Sequence, residues 1–262
     1  MIANAYTTKE HWNDYFSNYS PKNVDTVFFA EIFEKYLKPD SEKSVLEIGC
    51  AGGEYLCYIH KRFGFQPFGV DYSDEIVKTA ELFRHNQLGE PVLFHEDFFS
   101  WHPGRTFDVV YSIGFIEHFQ DARMIIEWHA RLLSPGGTLI ITLPHFAHMQ
   151  YLFHWLIDRE NLGKHNTRMM RLGVLRKAMQ GLPLSLEHLD YYQTFGFWTE
   201  RKTWNGAQRF IKWNIELFGK VAWKLLGFRK SNFLFSPHIV LVARKHGGAG
   251  PGVNNGRPDK LS

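Results

Sequence analysis

Two short segments carry the residue types and spacing most suggestive of chemistry. The first is Val45-Leu46-Glu47-Ile48-Gly49-Cys50-Ala51-Gly52-Gly53, and the second is Gly69-Val70-Asp71-Tyr72. A glycine-rich turn that closes one apolar run lets the backbone approach a ligand closely, and an acid that closes the next run is placed to accept from ribose hydroxyls. The pair predicts a nucleoside-containing cofactor. A dinucleotide fingerprint of the form G-x-G-x-x-G is not met, because the positions counted from Gly49 are Gly49, Ala51 and Glu54. A carboxylate there would also stand where a pyrophosphate should bind. Glu47 lies inside an apolar run, where an unpaired carboxylate is costly, so it is read as a binding group. Cys50, in the same turn, is read as a small packing residue.

The segments between these residues must position them. Ser44–Ile48, Pro67–Val70, Val92–His95, Phe107–Ser112 and Thr138–Leu143 are short apolar runs that read as strands, and helical patterns alternate with them. Tyr55–Arg62 is a helix that closes with His60, Lys61 and Arg62 in its last turn and Gly64 beyond. Ser73 caps a helix reaching His85, with Asp74 and Glu75 in its first turn. Asp121 caps another, with Met124, Ile125, Trp128 and Leu132 on one face and a stop at Ser134-Pro135-Gly136-Gly137. Strands alternating with helices predict an α/β fold with a mostly parallel sheet. From Pro144 to about Glu187 the alternation is lost, and a mainly helical insertion is expected. Tyr191–Thr199 is aromatic enough for a strand, Gly206–Phe228 is amphipathic, and Pro237–Ala243 is a final strand. The division expected is one domain over 1–246, with an N-terminal cap at 1–40 and a helical cover inserted at about 145–189. The remainder, 247–262, is rich in Gly, Pro and Asn and is expected to be disordered.

Hydrophobic residues make up 44% of the 262-residue chain and charged residues 22%, which excludes collagen-like, coiled-coil and wholly disordered classes. The net charge of +3 hides an asymmetry. Residues 1–144 hold 12 Lys/Arg against 20 Asp/Glu, or −8, whereas 145–246 hold 16 against 6, or +10. A basic second half predicts an anionic partner, whether a phosphate, a membrane surface or a nucleic acid. Cys50 and Cys57 match neither a CxxC pair nor a disulfide framework, and no metal site is indicated. No signal-like or membrane-spanning stretch is apparent, so a cytoplasmic location is expected.

Taken in order, these segments resemble the class I S-adenosylmethionine-dependent methyltransferases. Glu47, Gly49, Ala51 and Gly53 match the first motif of that family, with Ala51 departing at the central glycine by one methyl group. The resemblance implies that Asp71 binds the ribose and that Tyr72 lies beside the adenine. Asp97, in His95-Glu96-Asp97-Phe98, would accept from the adenine amino group. Phe98, beside Asp97, joins the cofactor-binding set, and Phe107-Asp108-Val109-Val110-Tyr111-Ser112 matches the fourth strand, which adds Ser112. The fold implied is a Rossmann-like, doubly wound, seven-stranded sheet with an antiparallel last strand and a helical insertion over the active site. The cofactor implied is S-adenosyl-L-methionine.

Methyl transfer from a sulfonium is an in-line displacement, so the protein mainly aligns the nucleophile and excludes water, and a hydroxyl nucleophile gains from a base. Gly114-Phe115-Ile116-Glu117-His118-Phe119 resembles the Glu-His of the ubiquinone-biosynthesis and natural-product O-methyltransferase branches. His118 is the first candidate base and His145, just past the fifth strand, the second. His148, His154 and His165 read as ordinary polar positions. Ser112-Ile113-Gly114-Phe115 lacks the Asn/Asp-Pro-Pro-aromatic signature of amino-directed nucleic-acid methyltransferases, so nucleic acid is disfavoured and oxygen is the expected target. The acceptor expected is a small molecule, a sugar or a lipid-linked metabolite. Within 204–230, Phe210, Trp213, Leu217, Val221 and Leu225 fall on one helical face, with Lys212, Glu216, Lys220 and Lys224 on another. Two readings follow: a helix packed on the core with a solvated basic face, or a peripheral membrane contact. A tRNA or protein methyltransferase that uses the basic half, and a non-catalytic S-adenosylmethionine-binding protein, are the alternatives.

Overall fold

The computed structural model describes residues 5–199, 203–225 and 230–247. Its apolar runs form one seven-stranded sheet. The strands are β1 (Ser44–Ile48), β2 (Gln66–Asp71), β3 (Val92–His95), β4 (Phe107–Ile113), β5 (Leu133–Pro144), β6 (Leu184–Tyr192) and β7 (His238–Lys245). Their order is β3-β2-β1-β4-β5-β7-β6, with β1 to β5 parallel and β7 antiparallel to both of its neighbours. The chain runs outward from β1 in one direction and then restarts at β4 on its other side. That reversal opens a crevice at the carboxyl ends of β1 and β4, where sheets of this kind bind ligands.

Helices cover both faces because alternate strand residues feed two cores. Leu46, Ile48, Val110, Ile239 and Leu241 point to the face packed by α5 (Ala122–Leu132) and α8 (Leu172–Ala178). Val45, Val109, Tyr111, Val240 and Val242 point to the other, packed by α2 (Ala30–Tyr36), α3 (Glu54–Phe63) and α4 (Val77–His85). The period of two places Glu47 on the same face as Val45. The expected caps are present. Asp121 accepts from the Met124 amide at 3.1 Å and Ser73 from the Glu75 amide at 3.2 Å, each satisfying a free first-turn donor. Gly64 takes the left-handed conformation just past α3.

The N-terminal α1 (Lys9–Ser17) lies against the β2 end of the sheet. Asn13 accepts from the Ser73 hydroxyl at 2.8 Å and the Asp74 amide at 3.0 Å, and the Lys78 ammonium donates to the carbonyls of Phe16 and Ser17. Between β5 and β6 the chain forms α6 (His148–Ile157), α7 (Arg159–Gly163) and α8. The α6 helix meets α9 (Gly206–Leu225) through a separate cluster of Phe153, Ile157, Ile215 and Phe235. No helix among the described residues is long and apolar enough to cross a membrane.

Three expectations need correction. The sixth strand is Leu184–Tyr192, not Tyr191–Thr199. It is an edge strand whose register shifts between Leu186 and His188, so its alternation resets midway and the pattern does not read as one strand. The insertion consequently stops being helical before Leu184. In α9, Ile211, Ile215 and Gly219 face the protein, while Phe210 is 66% and Trp213 57% exposed, with Leu217 and Val221 exposed beside them. Of the two readings of this aromatic face, packing on the core is the one corrected, since the face is turned outward. The side chain of Leu225 and residues 226–229 lie outside the described residues, as does all of the tail beyond Gly247.

Candidate active site

The turn after β1 is built to bring backbone close to a ligand. Gly49 and Gly53 have φ of 77° and 66°, which only glycine adopts without strain. A Cβ on Gly49 would lie 2.9 Å from the Phe115 ring, and one on Gly53 would lie 2.4 Å from the Thr79 methyl group. Asp71 pins the turn from the next strand. One carboxylate oxygen accepts from the Ala51 amide at 2.9 Å and the other from the Ser73 amide at 2.8 Å. Burial pushes the Asp71 carboxyl above its usual range, and these amides pull against that rise. Each oxygen keeps a second lone pair for a ligand. Cys50 is fully buried, and a Cβ on Gly69 would lie 2.5 Å from its sulfur, in keeping with a packing role.

Gly49 stands where two hollows meet. The narrower, of about 90 Å3, is lined by Asp71, Tyr72, Asp97, Phe98 and Phe115. Asp97 is half-buried and its Oδ1 accepts from the Phe99 amide at 3.1 Å. The wider hollow, of about 1330 Å3, is lined by Glu47, Ala51, Gly53, Trp12, Glu117 and His118. Of the expected set, Glu47, Gly49, Ala51, Gly53, Asp71, Tyr72, Asp97, Phe98 and His118 thus surround one continuous crevice. Glu47 is 4% exposed, and its Oε2 has no hydrogen-bond partner among the described residues. Burial is the main cause that pushes its carboxyl up to about 8, and the charge of Asp71 adds to it. A cationic ligand would relieve that buried acid.

Two expected residues are committed elsewhere. The Ser112 hydroxyl is fully buried and bonds to His129 Nε2 at 3.0 Å, while Ile113 and Gly114 line the crevice in its place. His145 is fully buried, its amide donates to Pro237 and its Nδ1 lies 2.7 Å from the Ser236 carbonyl, so it joins β5 to the start of β7. It is not among the residues lining either hollow.

The structure also assembles residues that spacing did not single out. Trp12 of α1 packs its ring 5.0 Å from that of His118, bridging the cap and the crevice. Glu117 is 1% exposed, and burial pushes its carboxyl up to about 8. His165 is buried with its ring 4.7 Å from that of His118, not an ordinary polar position. His154 is likewise fully buried, whereas His148 is exposed. The adjacency of Glu117 to His118 was legible. The approach of His165 depends on how the insertion folds back and has no local signal.

Residues 23–189 match the family model described as "Methyltransferase domain". The chain is 35% identical over 103 residues to a ubiquinone biosynthesis O-methyltransferase of Thiobacillus denitrificans, a match over 38% of this chain and 43% of that one. It is 34% identical over 116 residues to norajmaline N-methyltransferase of Rauvolfia serpentina, over 43% and 39%. The chain spans about two fifths of the length of these curated relatives. Among solved structures, geranyl diphosphate C-methyltransferase from Streptomyces coelicolor aligns with a TM-score of 0.58 at 14% identity, covering 82% of this chain and 77% of that one. Magnesium protoporphyrin IX methyltransferase from Synechocystis, with bound S-adenosylhomocysteine, aligns with a TM-score of 0.53 at 14% identity over 90% and 99%. At these identities the structural likeness is one of fold.

Proposed function

The chain belongs to the methyltransferase-domain family, and from that premise we propose that it transfers a methyl group from S-adenosylmethionine to a hydroxyl of a small molecule, a sugar or a lipid-linked metabolite. The observation that carries this reading is the crevice meeting at Gly49, with Asp71 and Asp97 among aromatic rings on one side and, on the other, the buried Glu47 carboxyl, one oxygen of which has no hydrogen-bond partner among the described residues. Asp71, Tyr72, Asp97 and Phe98 would hold the adenosine end. The turn from Gly49 to Gly53 and Glu47 would hold the amino-acid end, where the α-ammonium answers the buried acid. The cofactor, once bound, supplies an activated methyl group.

The residues of the chain do the remaining work by alignment and exclusion of water. His118 is the group that addresses the acceptor hydroxyl. Its Nδ1 lies 2.9 Å from the Lys164 carbonyl, which can only accept, so the proton sits on Nδ1 and Nε2 carries the lone pair. The first hundred and forty residues or so carry the cofactor crevice, with 1–40 as a cap and about 145–189 as the cover over the acceptor. The name of the Thiobacillus relative supports oxygen as the target atom. A peripheral contact of 204–230 with a membrane is a second element of this reading, favoured by the outward aromatic face of α9.

Thermal denaturation with and without S-adenosylhomocysteine tests the proposal. Ligand at about a hundred times its Kd adds ~2.7 kcal/mol, a rise of roughly 5–10 °C for a chain of this size. The rise should be abolished or strongly reduced in Asp71→Asn, which keeps the side-chain shape and weakens acceptance from ribose. No rise in the unmodified protein would overturn the reading.

A further inference from the structure

The wall of the wider hollow gathers three metal-ligating side chains from two distant stretches. Glu117 and His118 come from the turn after β4, and His165 from just beyond α7 in the segment between β5 and β6. One ligand atom of each lies within 4.8 Å of the other two. His118 Nε2 and Glu117 Oε1 are 3.9 Å apart. Both histidines have the same outer contact. The Nδ1 of His118 faces the Lys164 carbonyl at 2.9 Å, and the Nδ1 of His165 faces the Asn161 carbonyl at 2.6 Å. A carbonyl only accepts, so both Nδ1 atoms carry their protons, and both Nε2 atoms are left with lone pairs. A ring N–H held by a main-chain carbonyl is how proteins orient metal-binding imidazoles.

The third member is an acid with no cation against it among the described residues. Glu117 is 1% exposed and its Oε2 has no hydrogen-bond partner. The ammonium of Lys164, the residue whose carbonyl holds His118, is directed at Glu160, 3.4 Å away. A buried carboxylate beside two neutral nitrogen donors is costly unless a positive charge joins it. We propose that Glu117, His118 and His165 bind a divalent transition-metal ion of the Zn2+ class, with the remaining coordination positions open to the hollow. Two imidazoles and a carboxylate suit that class, and bonds of about 2.0–2.2 Å set donor atoms at most ~4.4 Å apart. At tetrahedral angles such donors stand ~3.4 Å apart, so atoms now within 4.8 Å of one another need to close by no more than about 1.5 Å. His118 then addresses the acceptor hydroxyl through the ion, which holds and acidifies a bound oxygen. That role rests on the methyltransferase reading; the binding of the ion does not.

The test uses the full chain, stripped of metal with a chelator, with no cofactor or acceptor present. Co2+ is titrated while its visible d–d absorption is followed, and Zn2+ is then added as a competitor. The expected result is one Co2+ per chain, displaced by Zn2+, with affinity falling by at least about 10–100-fold in both His165→Ala and Glu117→Gln. Far-UV circular dichroism checks the fold of each variant, and His165→Asn replaces any variant that does not fold. No saturable binding to the unmodified chain, or binding that folded variants leave unchanged, would overturn the assignment. Because S-adenosylhomocysteine is absent from this titration, failure here leaves the thermal-shift result standing, and the converse also holds.

Discussion

Glu47 is a carboxyl group in the middle of a buried strand, and its titration should couple to ligand binding in the crevice. Tyr111, Tyr55, Asp71, Glu54 and Cys50 face it or lie close by, none of them a cation, so the protonated form is favoured up to about pH 8. The folded value is raised from 4.5. A raised acid contributes stability below pH 4.5 that is lost as the pH climbs through the interval from 4.5 to about 8. Glu47→Gln should remove about one proton from the slope of stability against pH in that window, read by urea denaturation at a series of pH values. An ammonium ligand needs the ionised acid, so affinity for S-adenosylhomocysteine should rise between pH 6 and 8 and level off above. Calorimetry in buffers of different ionisation enthalpy should show proton release on binding near pH 7, and Glu47→Gln should abolish it. A flat affinity profile in the unmodified protein would show that Glu47 does not meet the ligand's charge.

At the scale of elements, the β1–α3 turn is held by a few close approaches whose cost can be measured. Gly53 needs a left-handed backbone, which costs an alanine about 1–2 kcal/mol. Its Cβ would also press on the Thr79 side chain, whose hydroxyl donates to the Cys50 carbonyl at 2.8 Å and ties α4 to the turn. Gly53→Ala should therefore lower the unfolding free energy by roughly 1–3 kcal/mol, while Gly89→Ala, with nothing within 4 Å of its Cβ, should change it by less than about 1 kcal/mol. Equal effects from the two substitutions would mean that the turn yields without strain. The same turn was legible in the sequence because its glycines, its flanking apolar runs and Asp71 act locally. The parallel strands and capped helices were legible for the same reason. What escaped was decided by pairing at a distance: β6 is reset by its bulge, the orientation of α9 is set by Ile215 against Phe153, and His165 reaches His118 only because the segment between β5 and β6 folds back. Ser112 and His145 were misplaced by a related limit. Position at a strand end says that a side chain is near the crevice, but the partner it bonds to, His129 or Ser236, is chosen by the packing behind it.

Over the whole molecule, the acidic first part supplies the glycine-rich turn and its flanking acids, and the basic second part adds further walls of the wider hollow and an apolar outer surface. The exposed Phe210, Trp213, Leu217 and Val221 of α9 lie in a stretch that also bears Arg209, Lys220 and Lys224, all exposed, and α6 exposes Trp155 and Leu156. An aromatic face flanked by cations is suited to the boundary of an anionic bilayer, where the rings enter the headgroup region and each nearby Lys or Arg adds about 1 kcal/mol. The full chain should co-sediment with vesicles containing phosphatidylglycerol and leave them as salt is raised, because the electrostatic part is screened over about 10 Å at 0.1 M. Phe210→Ser with Trp213→Ala should release it at any salt. Both side chains are more than half exposed, so this double substitution should leave the melting temperature and the response to S-adenosylhomocysteine unchanged. A fall in melting temperature would show instead that the aromatic face packs against the chain. Failure of the unmodified protein to bind such vesicles would remove the membrane and leave acceptors that reach the crevice through water.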